Sequence, residues 1–211
     1  MPSLFMRSRG VLRLFCVLLA AGTLLLSVAL FTFRGSYESS RELPVDSVVF
    51  QNGDLVFILG KTWRSSVVRF FDTEDYSHVG IIRFVYGVPK VIHAEPNTSI
   101  VRIESVEDFL SPSNARRAGV YRLRSDRFAK IAEAASLEAL GYFERRVPFD
   151  HRFDILCNNK LYCTELVWLA YKHAGIDLGE GEADFLHDSA LFGKVLLPGR
   201  LSRSAHLIKI F

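Results

Sequence analysis

Three short segments carry the side chains that could do chemistry: Tyr76-Ser77-His78-Val79-Gly80, Val91-Ile92-His93-Ala94-Glu95 and Leu161-Tyr162-Cys163-Thr164-Glu165. A thiol becomes a useful nucleophile when a nearby imidazole or a helix N-terminus favours its thiolate. Cys163 opens a segment that reads as a helix ending near Gly175, so its sulfur is expected in the first turn, at the positive end of the dipole. His78 begins a β-rich run, a rigid place from which to present a base. A third polar group should fix the tautomer and orientation of that base. His93 and Glu95 lie two apart on the next strand and so face the same side; one hairpin brings either beside His78. The expected set is Cys163 as nucleophile, His78 as base, and His93 or Glu95 as the orienting group. A thiolate held by an imidazolium should alkylate well below the ordinary thiol pKa of about 8.5.

Plainer readings compete for the same residues. Cys163 shares a helical face with Leu166, Val167 and Ala170 and would pass for a core cysteine. A Cys157–Cys163 disulfide would silence it. Zinc ligation by Cys163, His78 and His93 is chemically conceivable, yet neither a CxxC nor an HExxH spacing accompanies them. Glu165 reads as a surface carboxylate suited to a helix start, and Asp150 and Asp154 as loop residues that accept from backbone amides. Acyl transfer by a thiol and an imidazole needs no metal and no organic cofactor.

The elements that must position these groups are legible in outline. Asp54–Leu59 reads as a buried strand between Asn52-Gly53 and Gly60. Val79–Tyr86, Lys90–Glu95 and Ser99–Glu104 are spaced as an antiparallel meander. Trp63–Phe71 is expected to form a short amphipathic helix, Val106–Leu110 a turn or two of helix, and Val120–Leu123 a strand. Asp126–Arg145 is the longest helix, with Asp126 as its cap. Leu207–Phe211 returns as a terminal strand. The fold class is α+β, strands first and major helices later.

Charge and hydropathy divide the chain. Leu14–Phe33 is a twenty-residue stretch without a charge, about 30 Å as a helix, the thickness of a bilayer core. Arg7, Arg9 and Arg13 precede it, which predicts a cytoplasmic N-terminus and an exported domain. Ser27-Val28-Ala29 would serve as a signal-peptide cleavage site, but the apolar run continues past it through Phe33, which favours an uncleaved anchor. The expected division is 1–34 anchor, 35–45 polar tether and 46–211 catalytic domain. The net charge of +3 belongs to the anchor: residues 35–211 hold 22 Lys and Arg against 23 Asp and Glu. A near-neutral domain argues against a nucleic-acid partner, which would need a positive field to release phosphate counterions.

In this order, the segments resemble the permuted branch of the NlpC-type papain-fold superfamily, in particular the YiiX-like amidases, and more distantly the lecithin–retinol acyltransferase-like group. The resemblance runs from Gly53-Asp54-Leu55-Val56-Phe57 through Ser77-His78-Val79-Gly80-Ile81, Pro148-Phe149-Asp150 with Asp154, and Tyr162-Cys163-Thr164-Glu165-Leu166-Val167. Asp184-Phe185 and Ser189-Ala190-Leu191 are similar to the closing segment. It implies a permuted papain-like fold in which the histidine strand precedes the cysteine helix. YiiX-like sequences tend to carry glutamate where His93 aligns; histidine there is similar to the acyltransferase-like group. The activity that the resemblance implies is that of a cysteine hydrolase acting on a cell-envelope peptide or other amide through an acyl-thioester. The alternatives are a lipid-directed acyl hydrolase or transferase and a non-catalytic envelope binding module. Neither the substrate nor the oligomeric state is fixed by the residues.

Overall fold

Leu55–Gly60 (β1) is apolar throughout because both of its faces are covered; Leu55, Val56 and Phe57 are fully buried. It lies inside a six-stranded antiparallel sheet with His78–Val85 (β2), Val88–Glu95 (β3), Ile100–Ser105 (β4), Ala115–Leu123 (β5) and Leu207–Lys209 (β8), in the order β4-β3-β2-β1-β5-β8. Between them run the short helix Val106–Leu110 (α1), the helices Ala129–Glu144 (α2) and Cys163–Ala174 (α3), the two-residue ribbon Asp184–Phe185 (β6) with Lys194–Val195 (β7), and Pro198–Ser202 (α4). This computed structural model describes residues 48–61, 76–155, 159–179, 184–185 and 194–211, all within the unit Glu42–Phe211. The anchor segment Leu14–Phe33, the tether, Trp63–Phe71, Cys157 and Ser189–Leu191 lie outside the described residues. Among the described helices none is long and apolar enough to cross a membrane.

Strand alternation sends side chains to two cores. Leu55, Phe57, Val79, Ile81, Ile92 and Ala94 meet α2 and α3 through Ala135, Ala139, Leu166, Val167 and Ala170. On the opposite face Val56, Ile58, Ile82 and Val91 meet Val106, Phe109 and Leu110 of α1. The architecture is the expected α+β arrangement.

Three details depart from the sequence expectations. Asp126 does not cap the long helix: a 3-10 turn, Asp126–Phe128, intervenes, and α2 starts at Ala129 without a side-chain cap. Instead the Asp126 charge acts on Arg122. Strand β5 begins at Ala115 rather than Val120, because pairing with β1 overrides the weak β propensity of Ala115, Ala118 and Gly119. Glu165 is not a surface group at all; it is fully buried.

One feature of the sheet creates the site. β2 and β3 pair from Val85↔Val88 only as far as Ile81↔Ile92. The start of β2 and the end of β3 run on past that last pair, and Gly80 stands just beyond it: a Cβ there would meet Val91 Cγ1 at 2.3 Å, the Ile92 carbonyl oxygen at 3.1 Å and His93 Cβ at 3.3 Å. No side chain fits that approach, which explains the glycine after His78-Val79.

Candidate active site

Cys163 is the first residue of α3, directly after the extended residue Tyr162. The Tyr162 hydroxyl accepts from the Leu196 N–H at 2.8 Å, and the Thr164 hydroxyl donates to the Leu196 carbonyl. Both bonds pin the start of the helix to the segment before α4. Cys163 is a free thiol, buried to 9% exposure. Burial pushes its pKa up to about 11, opposed by the backbone N–H groups of Val79, Thr164 and Cys163 itself. The Val79 N–H belongs to the start of β2, so the helix end and the strand start meet at the sulfur.

His78, first residue of β2, lies beside His93 of β3. The His78 Nε2 and His93 Nδ1 atoms are 2.9 Å apart, with the two rings edge to face. The Phe109 ring packs on both, its centroid 5.6 Å from His78 and 5.1 Å from His93. The His78 pKa lies well below the ordinary imidazole value, first through burial and second through the neighbouring His93. Burial without a counter-charge disfavours both ions and so favours a neutral thiol and a neutral imidazole at rest, against the thiolate–imidazolium pair that early alkylation would require.

Glu95 shares the cleft but not the contact. Its carboxylate accepts from the Asn97 N–H at 2.9 Å and the Thr98 N–H at 2.7 Å, closing the turn into β4. Those amides outweigh its partial burial and hold its pKa below the usual carboxylate value, with a smaller contribution from His93. Between the two candidates for the third position, His93 is the one beside His78. Asp150 does what was expected of it, accepting from the Arg152 N–H at 2.9 Å and the Asp154 N–H at 2.7 Å.

A residue not foreseen completes the row. Glu104 Oε1 lies 3.0 Å from His93 Nε2, although that buried ring nitrogen has no partner with full hydrogen-bond alignment. Arg102, which pairs with His93 across the β3–β4 ladder, reaches Glu95 at 3.8 Å and Glu104 at 3.6 Å. Glu104 stands two residues beyond Arg102 and therefore on the same face as His93. The signal was the alternating charge in Arg102-Ile103-Glu104, but using it requires the β3–β4 register, which a turn of unknown geometry hides. Cys163, His78, His93, Glu95 and Glu104 all line one cleft of about 420 Å³, walled also by Phe149 and Phe153 and by the polar loop Ser111–Asn114.

A buried thiol at a helix start and two imidazoles in contact with each other thus line one cleft. Residues 49–191 match the family of permuted papain-like amidase enzymes, the YaeF/YiiX or C92 family, and the chain belongs to that family. The YiiX protein of Escherichia coli (strain K12) is 24% identical over 131 residues, which span 62% of each protein. A crystal structure of YiiX from Escherichia coli O157:H7, described as a metalloprotein, superposes with a TM-score of 0.64 at 20% identity. The match covers 76% of this chain and 96% of that one. A resident metal does not fit the described residues, among which no three or more His, Cys, Asp or Glu side chains are grouped so as to hold a metal ion. His78 and His93 also direct their nearest nitrogens at each other.

Proposed function

We propose that this protein is a membrane-tethered, exported cysteine amidase that opens an amide bond of a polar cell-envelope peptide through an acyl-thioester. The observation that carries the reading is the convergence of Cys163, His78 and His93 on one cleft. Because His78 Nε2 is engaged by His93, Nδ1 is the nitrogen left to take the thiol proton. The Cys163 sulfur attacks the carbonyl carbon as that proton passes to His78. Backbone N–H groups at the start of α3 receive the oxyanion. The C–N bond then breaks as His78 returns the proton to the leaving amine. Water, deprotonated by the same imidazole, releases the acid and restores the thiol.

Cleft chemistry favours a peptide over an acyl chain. Glu95, Glu104, Asp108, Arg102, Ser113 and Asn114 present charged and polar groups, whereas a fatty chain calls for a continuous apolar slot. Lipid-directed acyl transfer is the second reading, favoured by the histidine at position 93. The discriminating assay offers purified protein both muropeptides and phospholipid vesicles. Release of new amines from the former supports the amidase, and release of fatty acid or acyl transfer supports the lipid reading. In whichever assay turns over, His93→Ala is expected to reduce the rate by roughly tenfold to a hundredfold, and Glu95→Ala by less. The reverse order would move the orienting role to Glu95.

Leu14–Phe33 is proposed as an uncleaved span with the N-terminus inside, on its length and its three leading arginines. Protein beyond Tyr37 should then be reachable by an impermeant label from outside and resist alkaline extraction. Release by alkali would replace the span with a cleaved leader or a peripheral attachment.

A further inference from the structure

We propose that Glu104 is a positioning residue that sets the tautomer of both histidines, so that the lone pair of His78 ends up on Nδ1. This deepens the amidase reading and rests on it for the identity of the base. The geometry is a row: Glu104 Oε1, then His93 Nε2 at 3.0 Å, then from His93 Nδ1 to His78 Nε2 at 2.9 Å.

A neutral imidazole has one N–H and one lone pair, so fixing either nitrogen fixes the other. A carboxylate only accepts; its negative oxygen, 3.0 Å from His93 Nε2, repels a lone pair there and favours a proton even without full hydrogen-bond alignment. His93 therefore carries its proton on Nε2 and has its lone pair on Nδ1. That lone pair takes the N–H of His78 Nε2, which leaves His78 Nδ1 bare. Inverting the row inverts every step: with His93 protonated on Nδ1, His78 would hold its hydrogen on Nδ1 and have no lone pair for the thiol. The proton count agrees with a resting neutral pair. When His78 accepts the Cys163 proton, its positive charge sits one neutral ring away from the Glu104 carboxylate.

The surroundings leave this role to Glu104. His93 is 3% exposed, and its Nε2 has no aligned hydrogen-bond partner among the described residues. The charged and titratable groups around His93 come from every neighbouring element: His78 on β2, Glu95 on β3, Arg102 and Glu104 on β4, Asp108 on α1 and Cys163 on α3. Glu95 is held by the amides of Asn97 and Thr98, and Asp108 by the Ser105 hydroxyl at 2.6 Å. Arg102 spans Glu95 and Glu104, which keeps the Glu104 carboxylate beside the ring.

The experiment compares Glu104→Ala and Glu104→Gln with the parent by imidazole nitrogen NMR and by the pH dependence of Cys163 alkylation with iodoacetamide. In the parent, both rings are expected as the tautomer protonated on Nε2. Glu104→Ala should give His93 a mixture of tautomers and slow the alkylation near neutral pH about tenfold. The deficit should shrink as rising pH ionises the thiol without help. Glu104→Gln keeps an acceptor without the charge, so it should retain the tautomer and lose only a fewfold in rate. Unchanged tautomers and an unchanged alkylation profile in Glu104→Ala would overturn the proposal. A loss that is uniform across pH would overturn it too, by assigning Glu104 a structural part. Tautomers are read without substrate, so a failure to find amidase activity would leave this result standing on its own.

Discussion

Cys163→Ser is expected to fold like the parent and lose at least about a thousandfold in turnover, with His78→Ala close behind and the double variant little worse than either. A serine hydroxyl is similar in size to the thiol, and the bonds that fix the helix start come from Tyr162 and Thr164, not from the sulfur. What changes is acidity. The site has to move one proton from Cys163 to His78, and burial has pushed the thiol up to about 11 and the imidazole down. The signs of those shifts give the pH behaviour. With its pKa lowered, His78 is already a free base at mildly acidic pH, so the acid limb of activity should fall well below the usual imidazole value. With its pKa raised, the thiol should show no alkylation plateau below about 8.5 and should keep gaining rate above it. Removing His78 should depress the neutral-pH alkylation and spare the alkaline limb. A thiol that titrates in the ordinary range, indifferent to His78, would leave the family fold in place and make a binding module the better reading. The measurements are circular dichroism for the fold, the assay that turns over, and stopped alkylation read by mass at Cys163.

The parts of this site that were legible in the sequence are those set by local spacing. His78 at a strand start and Cys163 in a first helical turn follow from neighbouring residues alone, as does the common face of His93 and Glu95. Gly175 ends α3 in the left-handed region at φ 109°, as a glycine after Lys172-His173-Ala174 leads one to expect. What local spacing cannot supply is register. Whether His93 or Glu95 stands by His78 depends on where the β2–β3 ladder stops, and Glu104 enters only through the β3–β4 pairing. The electrostatics of the pair were hidden for a related reason. A Cys–His pair can rest as ions or as neutral groups, and the choice depends on how thoroughly distant elements exclude water. Here α1 does so through Phe109, and the loop around Phe149 and Phe153 walls the same cleft. Glu165 was misplaced by the same blindness: its position in the first turn fits an exposed acid, while packing encloses it.

That burial predicts a stability that falls as the solution becomes alkaline. Glu165 is fully buried, and its pKa is pushed up to about 8, chiefly by burial and further by the charges of Asp150 and Asp154, against the opposing Tyr162 N–H. Its Oε2 accepts from that N–H at 3.4 Å, while Oε1 has no partner among the described residues. An unfolded glutamate titrates near about 4.3. Between about 4.3 and 8 the native state therefore holds a proton that the unfolded state has released, and stability must fall with rising pH across that window. Below it both states are protonated and the advantage is complete; above it the native state carries a buried, unpaired charge. At about 1.36 kcal/mol per pKa unit the full swing is on the order of 4–5 kcal/mol, a large share of the roughly 5–15 kcal/mol that holds a domain together. Glu165→Gln keeps the shape and an oxygen for the Tyr162 N–H but cannot ionise. Urea unfolding at pH 5, 6.5 and 8 should show the parent losing stability progressively and the variant much less. The two proteins should be comparable at pH 5, with the variant ahead by a few kcal/mol at pH 8. Parallel curves would mean that Glu165 ionises at its ordinary pKa in the fold, which requires water or a cation to reach Oε1.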